Sequence, residues 1–234
     1  MNLQAFRSKT MRNSVFALSL VTLALAASCA TAHERGDIVL RAGAVVVDPH
    51  EDSEDIRLAG AGKLPGTKAT LDSDVQLGLN YLYMLTDHVG IEYLAATPFT
   101  HEVKAKGLPG DLNGRLGDFK QLPPTVSLVY YPFSPHATIQ PYVGVGLNYT
   151  YIFETKLGKA AEGKGFSGLD MQDSIGLAAQ VGVDYMLTDT LMLNAQVRYI
   201  DIESKATTYL NDSKVTVDVD VNPWVYMVAL GYKF

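Results

Sequence analysis

Arg41, Glu92 and Asp184 stand out because each is a charge set among apolar neighbours. Ionised groups in a narrow apolar space must pair, so the chemistry they suggest is a hydrogen-bonded ion network rather than a reaction centre. Other candidates are weaker. The five histidines, at positions 33, 50, 88, 101 and 136, have no metal-ligand spacing, and the single cysteine, Cys29, lies near the N-terminus. Asp218 and Asp220 stand two apart and are placed on an inner face near an outer rim, where they could hold a cation, although a solvated rim is the commoner fate of such a pair. Gly144-x-Gly146 lacks a third glycine and opens no helix, which argues against a phosphate cradle. With no His-Ser or paired-carboxylate constellation either, the expectation is no enzyme, no metal and no cofactor.

What positions the three charges is a set of strands, plainest at the end of the chain. From Asp218 onward, Trp224, Tyr226, Val228, Leu230, Tyr232 and Phe234 share one strand face, and Val225, Met227, Ala229, Gly231 and Lys233 share the other. The first face is apolar throughout; the second is small and carries one charge. A soluble sheet would bury its aromatic face and keep the opposite side richly charged. This pattern suits a wall with lipid outside and a tight lumen inside. A strand that ends on Phe234 has the form of the terminal signal of bacterial outer-membrane barrels, which makes the barrel-assembly machinery an expected partner.

Seven further segments alternate in the same way: 37–47, 74–85, 89–96, about 125–132, 141–153, 175–185 and 191–199. Three short connections (86–88, 134–138 and 188–190) alternate with four longer polar stretches (48–73, about 101–122, 154–172 and 204–214) that read as loops, the first of them mobile. The expected fold is all-β: an eight-stranded antiparallel transmembrane β-barrel with short periplasmic turns and long external loops. Tyr83-Met84-Leu85-Thr86-Asp87 recurs as Tyr185-Met186-Leu187-Thr188-Asp189 at two of the tight turns. Tyrosine rings favour the membrane boundary, so Tyr83 and Tyr185 are placed in an interface girdle, with Trp224, Tyr232 and Phe234.

Composition agrees. The 234 residues are 47% hydrophobic and 19% charged, yet no apolar run reaches the ~20 residues a membrane-spanning helix needs. The longest, Val15 to Ala27, follows Arg7, Lys9 and Arg12 and precedes Ala30-Thr31-Ala32, the layout of a cleaved secretory signal over residues 1–32 ahead of a barrel at 33–234. Export to the bacterial outer membrane follows. Without the three basic residues of the leader, 16 positive residues face 25 negative, a net of −9, which argues against nucleic acid as a partner.

An eight-stranded barrel has room for side chains or one small ligand, so the filling decides function. Arg41, Glu92 and Asp184 point inward near the periplasmic ends of their strands and are expected to form a polar floor. Leu94, Ala96, Leu82, Val129 and Ile152 are placed above it as an apolar pocket. Pro98 and Pro124 give no N–H to a ladder, and both lie near the external ends of neighbouring strands, where the wall could part. Apolar solutes would then enter from outside, pause near Leu94 and leave sideways into the membrane.

Several stretches resemble the outer-membrane protein W (OmpW) family: Arg41-Ala42-Gly43, Gly90-Ile91-Glu92-Tyr93-Leu94-Ala95-Ala96-Thr97-Pro98-Phe99, Leu122-Pro123-Pro124-Thr125, Pro141-Tyr142-Val143-Gly144, Asp173-Ser174 through Gln180-Val181-Gly182-Val183-Asp184-Tyr185, and Pro223-Trp224 through Gly231-Tyr232-Lys233-Phe234. The resemblance covers nearly all of the chain after the leader. It implies an eight-stranded barrel with a hydrophobic channel for passive uptake of small apolar molecules and a lateral exit. Leu94 matches a leucine of the family's apolar constriction, and Pro98 the proline associated with its lateral opening. Outer-membrane lipid, lipopolysaccharide and small hydrophobic solutes are the expected partners. The alternative is a structural or surface-recognition barrel serving as receptor for a phage, a bacteriocin or a host surface.

Overall fold

The computed structural model describes residues 32–50 and 52–234. The expected leader, Cys29 included, lies outside them except for Ala32. Eight long strands form a closed antiparallel barrel: β1 (Ile38–Asp48), β2 (Asp74–Met84), β3 (Val89–Ala96), β4 (Thr125–Tyr130), β5 (Ile139–Leu157), β6 (Ser174–Met186), β7 (Leu191–Ile200) and β8 (Trp224–Lys233). Each pairs with its neighbours in sequence, and β1 pairs with β8 from Val39/Lys233 to Asp48/Trp224, so no barrel edge is left open. Phe234 N–H extends that seam by donating to Ile38 O at 2.9 Å.

Alternation works as the residue types require. Leu77, Leu79, Val145, Leu147, Ile175 and Val228 are exposed on the outer face, each with more than half of its surface open, while Val39, Leu82, Met84, Val129 and Met192 are fully buried inside. The repeated pentapeptide builds one turn twice. Thr86 Oγ1 accepts from Val89 N–H (3.0 Å) and Thr188 Oγ1 from Leu191 N–H (2.9 Å), while Leu85 N–H and Leu187 N–H donate to Val89 O and Leu191 O, both at 2.8 Å. A threonine hydroxyl at this place satisfies a backbone donor that a two-strand turn would otherwise strand. Tyr83, Tyr185, Tyr232 and Phe234 lie on the outer face at this end. Trp224 lies at the other end, its ring 5.3 Å from that of Tyr199.

The segments expected as long polar loops instead build two small sheets standing on the barrel. Phe99–Lys106 and Gly114–Leu122 form a hairpin that pairs with the upper end of β5 and carries Lys68–Thr70 on its free edge. Phe166–Met171, Glu203–Leu210 and Ser213–Asp220 form the second sheet, edged by Asp52–Ser53 and Arg57–Leu58. The apolar period is real in both. Phe99, Val103 and Ala105 alternate with Thr100, Glu102, Lys104 and Lys106, and the inner row is buried.

The stretch from Asp218 to Phe234 is two strands, not one. Asn222 with φ of 37° and Pro223 separate Ser213–Asp220 from β8. Asp218 and Asp220 therefore face solvent rather than an inner rim, because Val217, Val219 and Val221 take the buried side of their sheet. Asp218 pairs with Lys205 at 3.1 Å, and among the described residues no group of three His, Cys, Asp or Glu is placed to hold a metal.

Candidate functional site

At the periplasmic end of the lumen the alternation of β1, β3 and β6 brings Arg41, Glu92 and Asp184 together. Arg41 Nη1 donates to Glu92 Oε2 (3.1 Å) and Asn80 Oδ1 (3.0 Å), and Nη2 donates to Asp184 Oδ2 (2.6 Å) and the Tyr131 hydroxyl (2.8 Å). A second arginine, Arg198 of β7, donates through Nη2 to Glu92 Oε1 (2.7 Å) and through Nε to Gln180 Oε1 (2.7 Å). Asn194 and His33 complete the surround of Asp184, at 2.8 and 3.0 Å. Two guanidinium cations face two carboxylates, all fully buried, so formal charge cancels. Pairing on this scale is what keeps buried ions tolerable, and it also fills the bore.

Beneath the network, Val39, Leu82, Met84, Val129, Tyr131, Tyr142, Met186 and Met192 pack as one apolar cluster. Leu82 and Val129, expected in the pocket above the charges, belong to this lower plug instead. Alternation assigns a face, but height in a barrel follows from the stagger of strands: Leu82 is paired with Glu92, and Val129 with Gly90 and Gly144.

Above the network the lumen turns apolar. Leu94 is 5% exposed and packs in a cluster with Val45, Val47, Phe99, Ile152 and Met227, with Ala96 against it. That cluster continues outward between the two external sheets into a cavity of about 120 Å³. No charged residue lines the cavity, and the polar ones are three threonines. Of these, Thr208 already spends its hydroxyl on Ser167 O at 3.2 Å.

Between cavity and network the wall has a gap in its ladder. β3 and β4 pair from Val89/Tyr130 up to Leu94/Thr125, and the same two chain segments meet again only at Phe99/Gln121. Ala95 to Pro98 on one side and Leu122 to Pro124 on the other make no rungs with each other. Three of these seven residues are prolines without an N–H. Both segments stay tied on their far flanks, where Thr97 N–H donates to Leu77 O (2.9 Å) and Tyr149 N–H to Pro124 O (3.1 Å). Leu94 thus sits in the last rung below the gap, flanked by the predicted Pro98 and Pro124.

Arg198 and His33 were not among the residues singled out from the sequence. Arg198 follows the same alternation as Arg41 and could have been found by reading the inner face of β7, where Met192, Asn194, Gln196 and Arg198 occur in steps of two. His33 precedes the first strand, where alternation gives no signal.

The comparisons with known proteins agree with this architecture. The family model described as the OmpW family matches residues 34–234. Outer membrane protein W of Vibrio cholerae is 41% identical over 228 residues, covering 96% of this chain and all of that protein. The crystal structure of the outer membrane protein OprG from Pseudomonas aeruginosa superposes with a TM-score of 0.83 at 49% identity, covering 87% of this chain and 98% of that one. A more distant relative, the dibenzothiophene metabolism operon protein PahQ of Pseudomonas aeruginosa, is 25% identical over 173 residues, 74% of this chain and 77% of its own length. With a family match that spans the whole barrel and relatives aligned end to end, the chain belongs to the OmpW family of outer-membrane β-barrel proteins.

Proposed function

We propose that this barrel passively admits small apolar molecules from outside the cell and releases them sideways into the outer membrane. The observation that carries this reading is the arrangement along the lumen axis: an uncharged outer cavity, an apolar stretch around Leu94, and below it a bore filled by paired ions and packed side chains. A solute that follows apolar surface gains about 0.8 kcal/mol per methylene buried and has nothing to gain by crossing the ion network. The rung-free stretch at Ala95–Pro98 and Leu122–Pro124 is where a sideways exit costs least, because no ladder hydrogen bonds have to break there. The PahQ relative is by name a dibenzothiophene metabolism operon protein, and dibenzothiophene is an apolar compound, which supports the same broad solute class.

On this reading Leu94 is the constriction, Pro98 and Pro124 hold the wall open, and Arg41, Glu92 and Asp184, joined by Arg198, close the periplasmic route. The test is uptake of a hydrophobic substrate by cells carrying the wild type, Leu94→Arg or Pro98→Ala. Leu94→Arg places a charge in the apolar stretch and should cut uptake at least tenfold, and Pro98→Ala restores a donor at the gap and should slow it. Equal uptake by all three removes the transport reading and leaves a surface-recognition barrel.

A further inference from the structure

We infer that the outer cavity imposes a one-ring size limit on the solutes, set by Phe166 on one wall and by Ala105 and Ala206 on the others. The inference rests on the uptake reading and narrows it to small monocyclic aromatic compounds.

The argument begins with volume. An apolar protein cavity of about 150 Å³ holds one benzene molecule. At about 120 Å³ this cavity is smaller than that, so one ring already fills it and a second fused ring would have to push the walls apart. Ile56, Leu64, Leu108, Pro109 and Leu112 of the lining come from connecting segments, and the walls that carry Phe166, Ala105 and Ala206 are strands. These strands are inner rows of two hydrogen-bonded sheets, with Phe166 paired to Leu210, Ala206 paired to Val217 and to Met171, and Ala105 paired to Gly114 and Ala69.

The cavity exists because small side chains occupy inward positions. Ala69, Ala105 and Ala206 are 4%, 0% and 6% exposed, at sites where the alternation would accept a leucine. Phe166, 4% exposed, is the largest side chain on the lining. Its own ring is one benzene in size, so its removal enlarges the chamber by about the volume a second ring needs. The chemistry of the lining selects in the same direction. With no charged group present and Thr208 already engaged, the cavity recognises shape and apolar surface and offers no ion partner.

The experiment uses the full chain in lipid nanodiscs and follows the methyl resonances of Ala105 and Ala206 as toluene or naphthalene is added, each affinity being corrected for partition into the lipid. Toluene should bind the wild type roughly tenfold better than naphthalene, the lower part of the range for forcing extra atoms into a packed interior. Phe166→Ala should bring the two within about twofold or reverse them. Phe166→Leu, a milder change that keeps the sheet packed, should move the ratio part of the way. Ala206→Leu should weaken both ligands about tenfold or more. A ratio unchanged by Phe166→Ala and Phe166→Leu, or naphthalene binding the wild type as well as toluene, overturns the inference. Uptake by cells separates it from the transport reading. Size-indifferent uptake keeps transport and removes the limit, whereas the expected binding ratios with no uptake at all keep the limit and remove transport.

Discussion

Replacing Glu92 with glutamine should destabilise the barrel by about 3–5 kcal/mol, the cost of leaving a buried charge without its partner. The size follows from the contacts. Glu92 accepts from Arg41 (3.1 Å), Arg198 (2.7 Å) and Gln180 (2.8 Å), and all four groups are shut away from solvent. Glutamine keeps the shape but removes the charge and turns one acceptor into an amide donor facing donors. Arg41 would keep the carboxylate of Asp184, and Arg198 would be left buried with no carboxylate partner. An exposed ion pair sets the comparison: Lys205 and Asp218 are 3.1 Å apart but about half exposed, so Asp218→Asn should cost no more than about 1 kcal/mol. The double variant Glu92→Met with Arg198→Met should lose less than half of what Glu92→Gln alone loses, because Arg41 keeps Asp184, Asn80 and Tyr131 while the other ion pair becomes apolar packing. The assay is urea unfolding of the barrel in liposomes, followed by Trp224 fluorescence and by the mobility shift of unheated protein on gels. If Glu92→Gln unfolds at the midpoint of the wild type, the network is solvated and does not close the bore.

Three other outcomes follow from separate parts of the molecule. Glu92→Ala should raise ion conductance in planar bilayers, and unchanged conductance would mean that the plug beneath, not the ion network, blocks the route. Gly43→Ala should impair barrel closure by about 2 kcal/mol or more, since its Cβ would lie 2.0 Å from Val228 O and 2.5 Å from the Ala229 Cα across the β1–β8 seam; normal yield and urea midpoint would show that the seam can shift. His101, in the external hairpin, is held below the ordinary imidazole value by burial, against the raising pull of the Asp72 carbonyl and of the Asp72 and Asp74 carboxylates. The unfolded hairpin therefore takes the proton first, so stability is fully present above about pH 6.5 and falls as pH drops below it; the amide protection factors of residues 99–106, corrected for the intrinsic pH dependence of exchange, should fall toward pH 5 in the wild type and lose that slope in His101→Asn.

The barrel was legible because lipid and lumen impose opposite demands on adjacent residues. A stretch such as Val143, Val145, Leu147 and Tyr149 against Gly144, Gly146 and Asn148 has few other uses. The convergence of Arg41, Glu92 and Asp184 could be expected for the same reason, since an isolated charge on an inward face needs a partner. Height was not legible. Leu82 and Leu94 both face inward, yet one lies under the ions and the other over them, a difference fixed by register and not by residue type. The external sheets were hidden because their inner rows interrupt Phe99, Val103, Val217 and Val219 with Ala69, Ala105, Ala206, His101 and threonines, residues too small or too polar to sustain a hydrophobic signal, and because glycines with positive φ such as Gly66, Gly107 and Gly165 punctuate them like loops.

β5 runs unbroken for 19 residues, pairing with β4 and β6 low down and with the Gly114–Leu122 hairpin strand above. A single beam thus serves both the wall and the antechamber, with a bulge at Phe153–Lys156 as its only joint. The antechamber has no foundation of its own. Excised as a soluble fragment it would lose the rail on which its hairpin is hung, and exchanging its tips between homologues should succeed only where that rail keeps the same length.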